Sequence, residues 1–304
     1  FVQYLAEQEF GESYPEAIPG LTKYPSRRGD PQQIVPYMAG NQEFISPIMS
    51  NPENVYQLGP NAYAKPATAL NILRETVMGR AAFDHAFKTY AQRWMFKHPT
   101  PEDFFRTMED ASAIDLDWFW RGWFYTTDVV DIGVKKINKY YYSDTPDEKT
   151  KERLEAFGYS LDNLPDLVFK IDQESESFDP EVAQNNPIGD SQILKQYLEE
   201  EGINASDIPT YFYEIEFEKP GGLVMPLIVE YAYADGTKER VTYPVQLWRK
   251  NDTSVKKVIT SDKELIGVTV DPDNETADIN QDNNSWPRKD LPSDFEKFKQ
   301  KIKG

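Results

Sequence analysis

The side chains that could do chemistry are few in this sequence. It contains no cysteine, which excludes disulfides and thiolate metal sites. Its two histidines, His85 and His98, are too far apart in sequence to supply the two ligands that an H-E-x-x-H helix places one turn apart. We predict surface or packing roles for both, and no G-x-S-x-G sequence supports a serine–histidine pair. Tyr63 stands just ahead of a predicted helix, and we take it as the candidate functional residue.

Two acidic stretches, residues 271–275 and 278–284, alternate oxygen-bearing side chains as a calcium loop does. Neither stretch has the glycine at the sixth position or the acidic residue at the twelfth that the EF-hand loop requires. We therefore predict a polar strand-to-turn connection here rather than a calcium site.

Helical patterns fill residues 61–126. Pro66 suits the first turn of a helix, and apolar residues follow it at three- and four-residue spacing until Gly79 supplies a stop. The same spacing recurs from Phe83 onwards and is broken by Pro99, which predicts a second helix.

Two more helices are predicted after Pro99. The hydroxyl of Thr100 can cap a helix that starts at Pro101, and acidic residues follow in its first turn. A fourth helix begins at Asp115 or Asp117 and carries a broad aromatic stripe. We interpret the stripe as helix packing.

The period of the pattern changes to two from Thr210 onwards. Residues 211–217 alternate apolar and acidic side chains, which predicts a strand with one buried face. Residues 234–237 indicate a hairpin turn with a returning strand through Leu247, and residues 255–259 and 265–270 supply further strands. Short strands at this spacing predict an antiparallel sandwich of immunoglobulin-like type.

These patterns divide the chain into four parts. Residues 1–132 form a helical unit, and residues 133–209 form an acidic connector or small insert that opens with a short strand and includes a helix at residues 191–201. Residues 210–290 form the sandwich, and residues 291–304 form a terminal helix with a capping box.

The charge of the chain limits its partners. Fifty-one acidic residues against 33 basic ones give a formal net charge of -18, which repels phosphate backbones and anionic lipid. We therefore expect no nucleic-acid partner. No run of apolar residues approaches the length of a membrane span, and the absence of cysteine leaves the compartment undecided.

The first ten residues have helical spacing from the start, without a cap or a polar lead-in. We expect the chain to begin inside a helix, as a fragment of a longer protein would. Residues 11–60 are rich in proline, glycine and asparagine and predict long ordered loops, with a short helix near residues 32–38. These loops would form a rim leading to Tyr63.

At a series of positions the sequence resembles the aminopeptidase N family of zinc metallopeptidases, which are gluzincins. The positions are Tyr63, Lys65, Pro66, Leu70, Gly79, Phe83, Tyr90, the helix start at residues 100–104 and the helix start at residues 115–119. The resemblance covers residues 1 to about 132, and residues 268–286 are similar to the accessory domain of bacterial members. It implies an α+β multidomain chain: the α-helical C-terminal half of a thermolysin-like peptidase domain, followed by an antiparallel immunoglobulin-like β-sandwich.

The resemblance implies a zinc-dependent aminopeptidase. In that family two histidines of H-E-x-x-H and a downstream glutamate hold the zinc, and the glutamate of the motif is the general base. All four residues are absent from this sequence. We therefore expect the ligands upstream of Phe1, zinc in the parent protein, and neither catalytic zinc nor peptide hydrolysis in this chain alone.

One catalytic residue of the family maps onto this sequence. Tyr63 stands at the place of the tyrosine in the family's Tyr-x-Lys-Gly motif, which stabilises the oxyanion formed when zinc-bound water attacks the peptide carbonyl. Pro66 stands where many members carry glycine, which changes the helix start but leaves the phenol in place. We expect Lys65 to be structural.

The expected partners are a peptide or protein substrate and the missing N-terminal half of the catalytic domain. The resemblance to bacterial members favours a periplasmic or extracellular location. The three N-x-S/T sequons, at Asn204, Asn251 and Asn274, are interpreted as chance occurrences.

Two other functions remain open. A non-catalytic scaffold could retain the peptidase half and bind a partner, and an upstream sequence without H-E-x-x-H would favour it. A carbohydrate- or surface-binding sandwich would require Trp248 and Trp286 to form a flat exposed platform, whereas their sequence positions favour core or hairpin packing.

Overall fold

The computed structural model describes residues 30–143, 152, 154–158, 168–171, 200–202, 209 and 211–288. The helices predicted at residues 1–10 and 291–304 lie outside these residues, as does most of the helix predicted at residues 191–201.

Residues 30–130 are mainly helical, with a longer loop at residues 39–57. The α-helices are α1 (Pro31–Met38), α2 (Lys65–Ile72), α3 (Arg80–Trp94), α4 (Pro101–Ser112) and α5 (Asp117–Tyr125). Two π-helical turns, Pro60–Ala64 and Leu73–Val77, extend α2 at both ends, and the 3₁₀ turns Gln42–Phe44 and Pro52–Asn54 lie in the preceding loop. In the described parts of the chain, no helix has the length and apolar character that crossing a bilayer demands.

Local signals fix the helix ends. The predicted cap of α4 is confirmed, because the Asp103 amide donates to Thr100 Oγ1 at 3.3 Å while Asp103 Oδ2 accepts from the Thr100 amide at 2.9 Å. Gly79 has φ +78°, a conformation that suits glycine and separates α3 from the helix before it. The short helix predicted near residues 32–38 is also confirmed, as α1.

The rest of the described chain forms two four-stranded antiparallel sheets. The strands are β1 (Gly133–Ser143), β2 (Val168–Ile171), β3 (Tyr211–Glu218), β4 (Leu227–Tyr233), β5 (Lys238–Tyr243), β6 (Ser254–Ser261), β7 (Leu265–Val270) and β8 (Ser285–Trp286). The strand orders are β2-β1-β3-β6 and β5-β4-β7-β8, so the chain is an α+β protein. The two sheets touch where the Leu265 amide donates to the hydroxyl of Tyr213 at 2.8 Å.

The predicted hairpin is formed by β4 and β5. Gly236 has φ +83° in its turn, and the Tyr233 amide donates to the Thr237 carbonyl at 2.9 Å. The prediction that the returning strand runs through Leu247 is wrong. Strand β5 ends at Tyr243 because Pro244 has no N–H for a ladder, and Val245–Arg249 form a 3₁₀ helix instead.

Strand β1 is an integral part of the first sheet, although the sequence division assigned it to the connector. It pairs with β3 from Gly133↔Glu218 to Tyr141↔Tyr211 and lies between β2 and β3. On the central strand β3, Glu214 is buried and accepts from Asn138 Nδ2 at 3.1 Å and Lys256 Nζ at 3.3 Å. The strand therefore departs from the simple one-faced burial that its alternation predicted.

Buried side chains of the helices and both sheets form one contiguous core. Phe119 and Trp123 of α5 are fully buried in it, so the aromatic stripe is packing, as predicted. Each such side chain contributes about 2 to 3 kcal/mol of hydrophobic stabilisation.

The chain passes from α5 into β1 through residues 128–132, which we call the junction. On one side, the Leu223 amide donates to the Val129 carbonyl at 3.1 Å and the Gly221 amide donates to the Asp131 carbonyl at 3.3 Å. Gly221 must approach closely for this pairing, since a Cβ atom there would lie 2.3 Å from the Val129 oxygen.

The other side of the junction pairs with the segment after β7. The Ile279 amide donates to the Val130 carbonyl at 2.9 Å, and the Ile132 amide donates to Asp278 Oδ2 at 3.0 Å. The junction is therefore held along both of its edges.

We predict that Gly221→Ala destabilises the protein by roughly 2 to 4 kcal/mol, because the added methyl group must push the junction backbone away. Gly59→Ala is the matched control, since a Cβ atom at Gly59 would meet nothing within 4 Å. Chemical denaturation of both variants measures the difference, and equal stabilities would contradict the close approach.

Candidate functional site

Tyr63 lies inside the π-helical turn Pro60–Ala64, which leads directly into α2. The sequence placed Tyr63 ahead of the helix, and this expectation is wrong because the chain is already helical from residue 58. Pro66 explains the wider turn: it has no N–H, and in a regular α-helix its ring presses on the carbonyl four residues back. In the π turn the Lys65 amide donates to the Pro60 carbonyl, five residues back. Such turns are frequent at functional sites.

Two buried side chains fix the backbone on either side of Tyr63. Asn61 is 2% exposed, and its Nδ2 donates to the Ser46 carbonyl at 2.6 Å and to the Pro47 carbonyl at 3.2 Å. Lys65 is 1% exposed, and its Nζ donates to the Thr126 carbonyl at 3.1 Å. The first contact holds the preceding loop and the second holds the end of α5.

The Lys65 ammonium occupies an unusual environment. Burial lowers its pKa to about 8, and the Coulombic attraction of Asp128 opposes that shift. Its acceptor, Thr126, follows the last residue of α5, where the helix carbonyls carry partial negative charge. Lys65 thus stabilises a helix end, in agreement with a structural role.

The side chain of Tyr63 itself is 60% exposed. Further exposed apolar side chains lie on the two segments that adjoin the π turn: Phe44, Tyr56 and Leu58. The rings of Phe44 and Tyr56 lie 5.0 Å apart, and the Asn61 contacts hold the Phe44 segment beside the turn. The segments that precede Tyr63 in the chain therefore carry several exposed apolar side chains.

An apolar cavity of about 410 Å³ lies further along α2. Leu70, two turns after Tyr63, lines it together with Ile48 and Met49 of the loop that Asn61 holds. The remaining lining residues are Phe87, Tyr90, Pro99, Thr100, Pro101, Phe104, Phe105 and Phe124. The same loop thus connects the surface around Tyr63 to this cavity.

The other candidate residues of the sequence lie on the surface or in the core. His85 and His98 are both exposed, as predicted. Trp248 is buried, with Nε1 donating to the Met225 carbonyl at 3.0 Å, so it is not part of an exposed platform. The half-buried Trp286 packs against the core.

Within the described residues, no group of three His, Cys, Asp or Glu side chains could hold a metal ion. The resemblance implies zinc ligands upstream of Phe1, so no catalytic step through zinc is assigned to the described residues.

The acidic stretches after β7 form polar turns, as predicted. The carboxylate of Asp271 accepts from the amides of Glu275 at 2.7 Å and Thr276 at 3.0 Å. Asp278 accepts from Ile132 and Asn280, while burial raises its pKa to about 7 against these two donors. The sequence indicated the polar turns but gave no sign that Asp278 joins the junction.

Neither a protein-family model nor a curated protein matches this chain.

The stability of the protein should depend on pH through Lys65. Because burial lowers its pKa from 10.5 to about 8, the unfolded chain binds more protons than the folded one between these values. Unfolding free energy attributable to Lys65 should therefore rise with pH across this window, by roughly 3 kcal/mol.

The matched variant is Lys65→Met, which retains the length of the side chain without a titratable group. Denaturation from pH 7 to 11 compares the two proteins, so that titrations common to both cancel. Parallel pH profiles would show that Lys65 titrates normally in the folded state.

Proposed function

We propose that this chain is part of a zinc-dependent aminopeptidase of the aminopeptidase N type, in which Tyr63 stabilises the oxyanion formed during peptide hydrolysis. The resemblance of residues 61–126 supports the assignment. In this proposal, residues up to 132 belong to the second half of a thermolysin-like catalytic domain. The two antiparallel sheets are consistent with an immunoglobulin-like accessory domain.

The observation that carries the proposal is how Tyr63 is held. Its side chain is 60% exposed, whereas Asn61 and Lys65 on either side are buried and hydrogen-bonded to distant backbone carbonyls. A donor on a fixed backbone needs little reorganisation to meet charge that develops in a transition state. The phenol O–H of Tyr63 would donate to the carbonyl oxygen as it becomes negative.

The exposed apolar surface beside Tyr63 suits a peptide substrate. Phe44, Tyr56 and Leu58, which precede Tyr63 in the chain, could contact apolar side chains of a bound peptide. The zinc of the parent enzyme would activate the attacking water, and its ligands are proposed to lie upstream of Phe1. A periplasmic or extracellular location is part of the same proposal.

We predict that Tyr63→Phe in the native-length protein lowers kcat by roughly 100- to 1000-fold, the usual effect of losing one oxyanion donor. Zinc content and KM should change little, because the variant removes only a hydroxyl group. Tyr125→Phe is the matched control and should retain full turnover, since it removes a hydroxyl from another exposed tyrosine, at the end of α5. An unchanged kcat in the Tyr63→Phe enzyme would show that Tyr63 does not stabilise the oxyanion.

The chain of 304 residues should neither retain stoichiometric zinc nor hydrolyse aminoacyl p-nitroanilides, whereas the native-length protein should do both. Elemental analysis after dialysis and a chromogenic assay on the two proteins test this. If neither the 304-residue chain nor the native-length protein contained zinc or hydrolysed the substrate, the peptidase proposal would be rejected in favour of the second candidate function.

That second candidate is a non-catalytic scaffold that binds a partner protein. The exposed apolar side chains of Met95 and Phe96, remote in sequence from Tyr63, favour it. An upstream segment without H-E-x-x-H would support the scaffold, and an intact motif would support the peptidase.

A further inference from the structure

Phe96 is the most exposed large apolar side chain in the described part of the chain. It is 97% exposed, and its neighbour Met95 is 59% exposed. Both follow directly after α3, which ends at Trp94. We call residues 95–97 the Phe96 loop.

The backbone of this loop makes the exposed ring more unusual. Phe96 has φ +61°, in the left-handed region that normally falls to glycine after a helix end. A bulky residue is disfavoured in this conformation, and an exposed ring gains no burial in return. Phenylalanine at this position therefore works against the stability of the single chain.

The apolar cavity lies close to this loop in the chain. Pro99, three residues after Phe96, lines the cavity, as do the aromatic rings of Phe87, Tyr90 and Phe104. Its volume of about 410 Å³ is in the range that accepts a small ligand, so it has room for a phenyl ring. Phe96 does not line the cavity of its own chain.

Charges around the loop and the cavity are opposite. Lys97 and His98 are exposed beside Phe96, whereas Glu102 and Asp103 follow directly after Pro101, which lines the cavity. An aromatic side chain beside the Lys97 cation thus matches an apolar cavity flanked by carboxylates.

We propose that the Phe96 loop docks into the apolar cavity of a second copy of this chain. Because loop and cavity are neighbours, a two-fold axis allows each copy to insert its Phe96 into the other, while Lys97 of one copy faces Glu102 of its partner. Repulsion between two chains of net charge -18 is largely screened at physiological salt. This inference is independent of the proposed peptidase, whereas the scaffold candidate rests on the same two exposed side chains.

The test compares Phe96→Gly with the wild type by sedimentation velocity from low micromolar to submillimolar concentration. The wild type should form a reversible dimer. The variant should weaken dimerisation by roughly 100-fold or more, because the two-fold arrangement loses a buried aromatic residue at two places. Phe96→Gly should also raise the melting temperature of the monomer, because glycine suits φ +61°. A variant that loses dimerisation while gaining thermal stability cannot be explained by misfolding.

Two further variants serve as a negative control and as a test of the cavity. Phe157→Gly removes another exposed phenylalanine outside the loop and should leave dimerisation unchanged. Ile48→Lys places a charge at the cavity and should dissociate the dimer, yet a mixture of Ile48→Lys with Phe96→Gly should form heterodimers, because one intact contact remains between them.

The proposal is overturned if the wild type is monomeric at every concentration, or if Phe96→Gly dimerises as tightly as the wild type. A monomer that co-sediments with phosphatidylcholine–phosphatidylserine vesicles through Phe96 would also overturn it, in favour of a membrane contact.

Discussion

The relative placement of helices and sheets depends on the hydrogen bonds along both edges of the junction. Leu223 and Gly221 pair with it on one side, and Ile279 and Asp278 pair with it on the other. A segment fixed along both edges has little freedom to tilt, because rotation of the helices would break several of these bonds at once. Each contributes about 1 kcal/mol net, and a buried amide left unpaired costs more. Val130 and Ile132 of the junction also belong to the shared hydrophobic core.

The buried Lys65 ammonium links the turn that carries Tyr63 to the chain just before the junction. Its acceptor, Thr126, lies two residues before the junction. The position of the turn that carries the phenol is therefore fixed relative to the sheets as well as to the helices. Burial disfavours the charged form, and the contact persists because the end of α5 needs a donor. At the other end of the same turn, Asn61 donates to two carbonyls of a loop that has little regular structure. The site therefore combines an exposed functional group with a buried polar support.

Sequence reasoning succeeded where structure is set by neighbours in the chain. The cap at Thr100, the turn at Gly236 and the aromatic stripe of α5 all follow from local spacing and turn chemistry. It failed where distant segments decide the outcome. Strand β1 joins a sheet because β3, some seventy residues later, supplies its partner. The support from Asn61 was missed for the same reason, since nothing beside Asn61 in the sequence indicates the carbonyls of Ser46 and Pro47.

The number of residues in the π-helical turn Pro60–Ala64 determines the direction in which the Tyr63 side chain points from the helix axis. A π turn contains about one residue more than an α turn, so losing one residue there, with Pro66 replaced by a residue that has an N–H, would restore regular α-helix. Everything before the deletion would then swing by about 100° around the helix axis, while α2 and its contacts stayed in place. An insertion or deletion at this point mainly rotates the preceding segment around the helix axis and changes the length of the helix little. A change of one residue at this turn would therefore redirect the preceding surface loops without rebuilding the core.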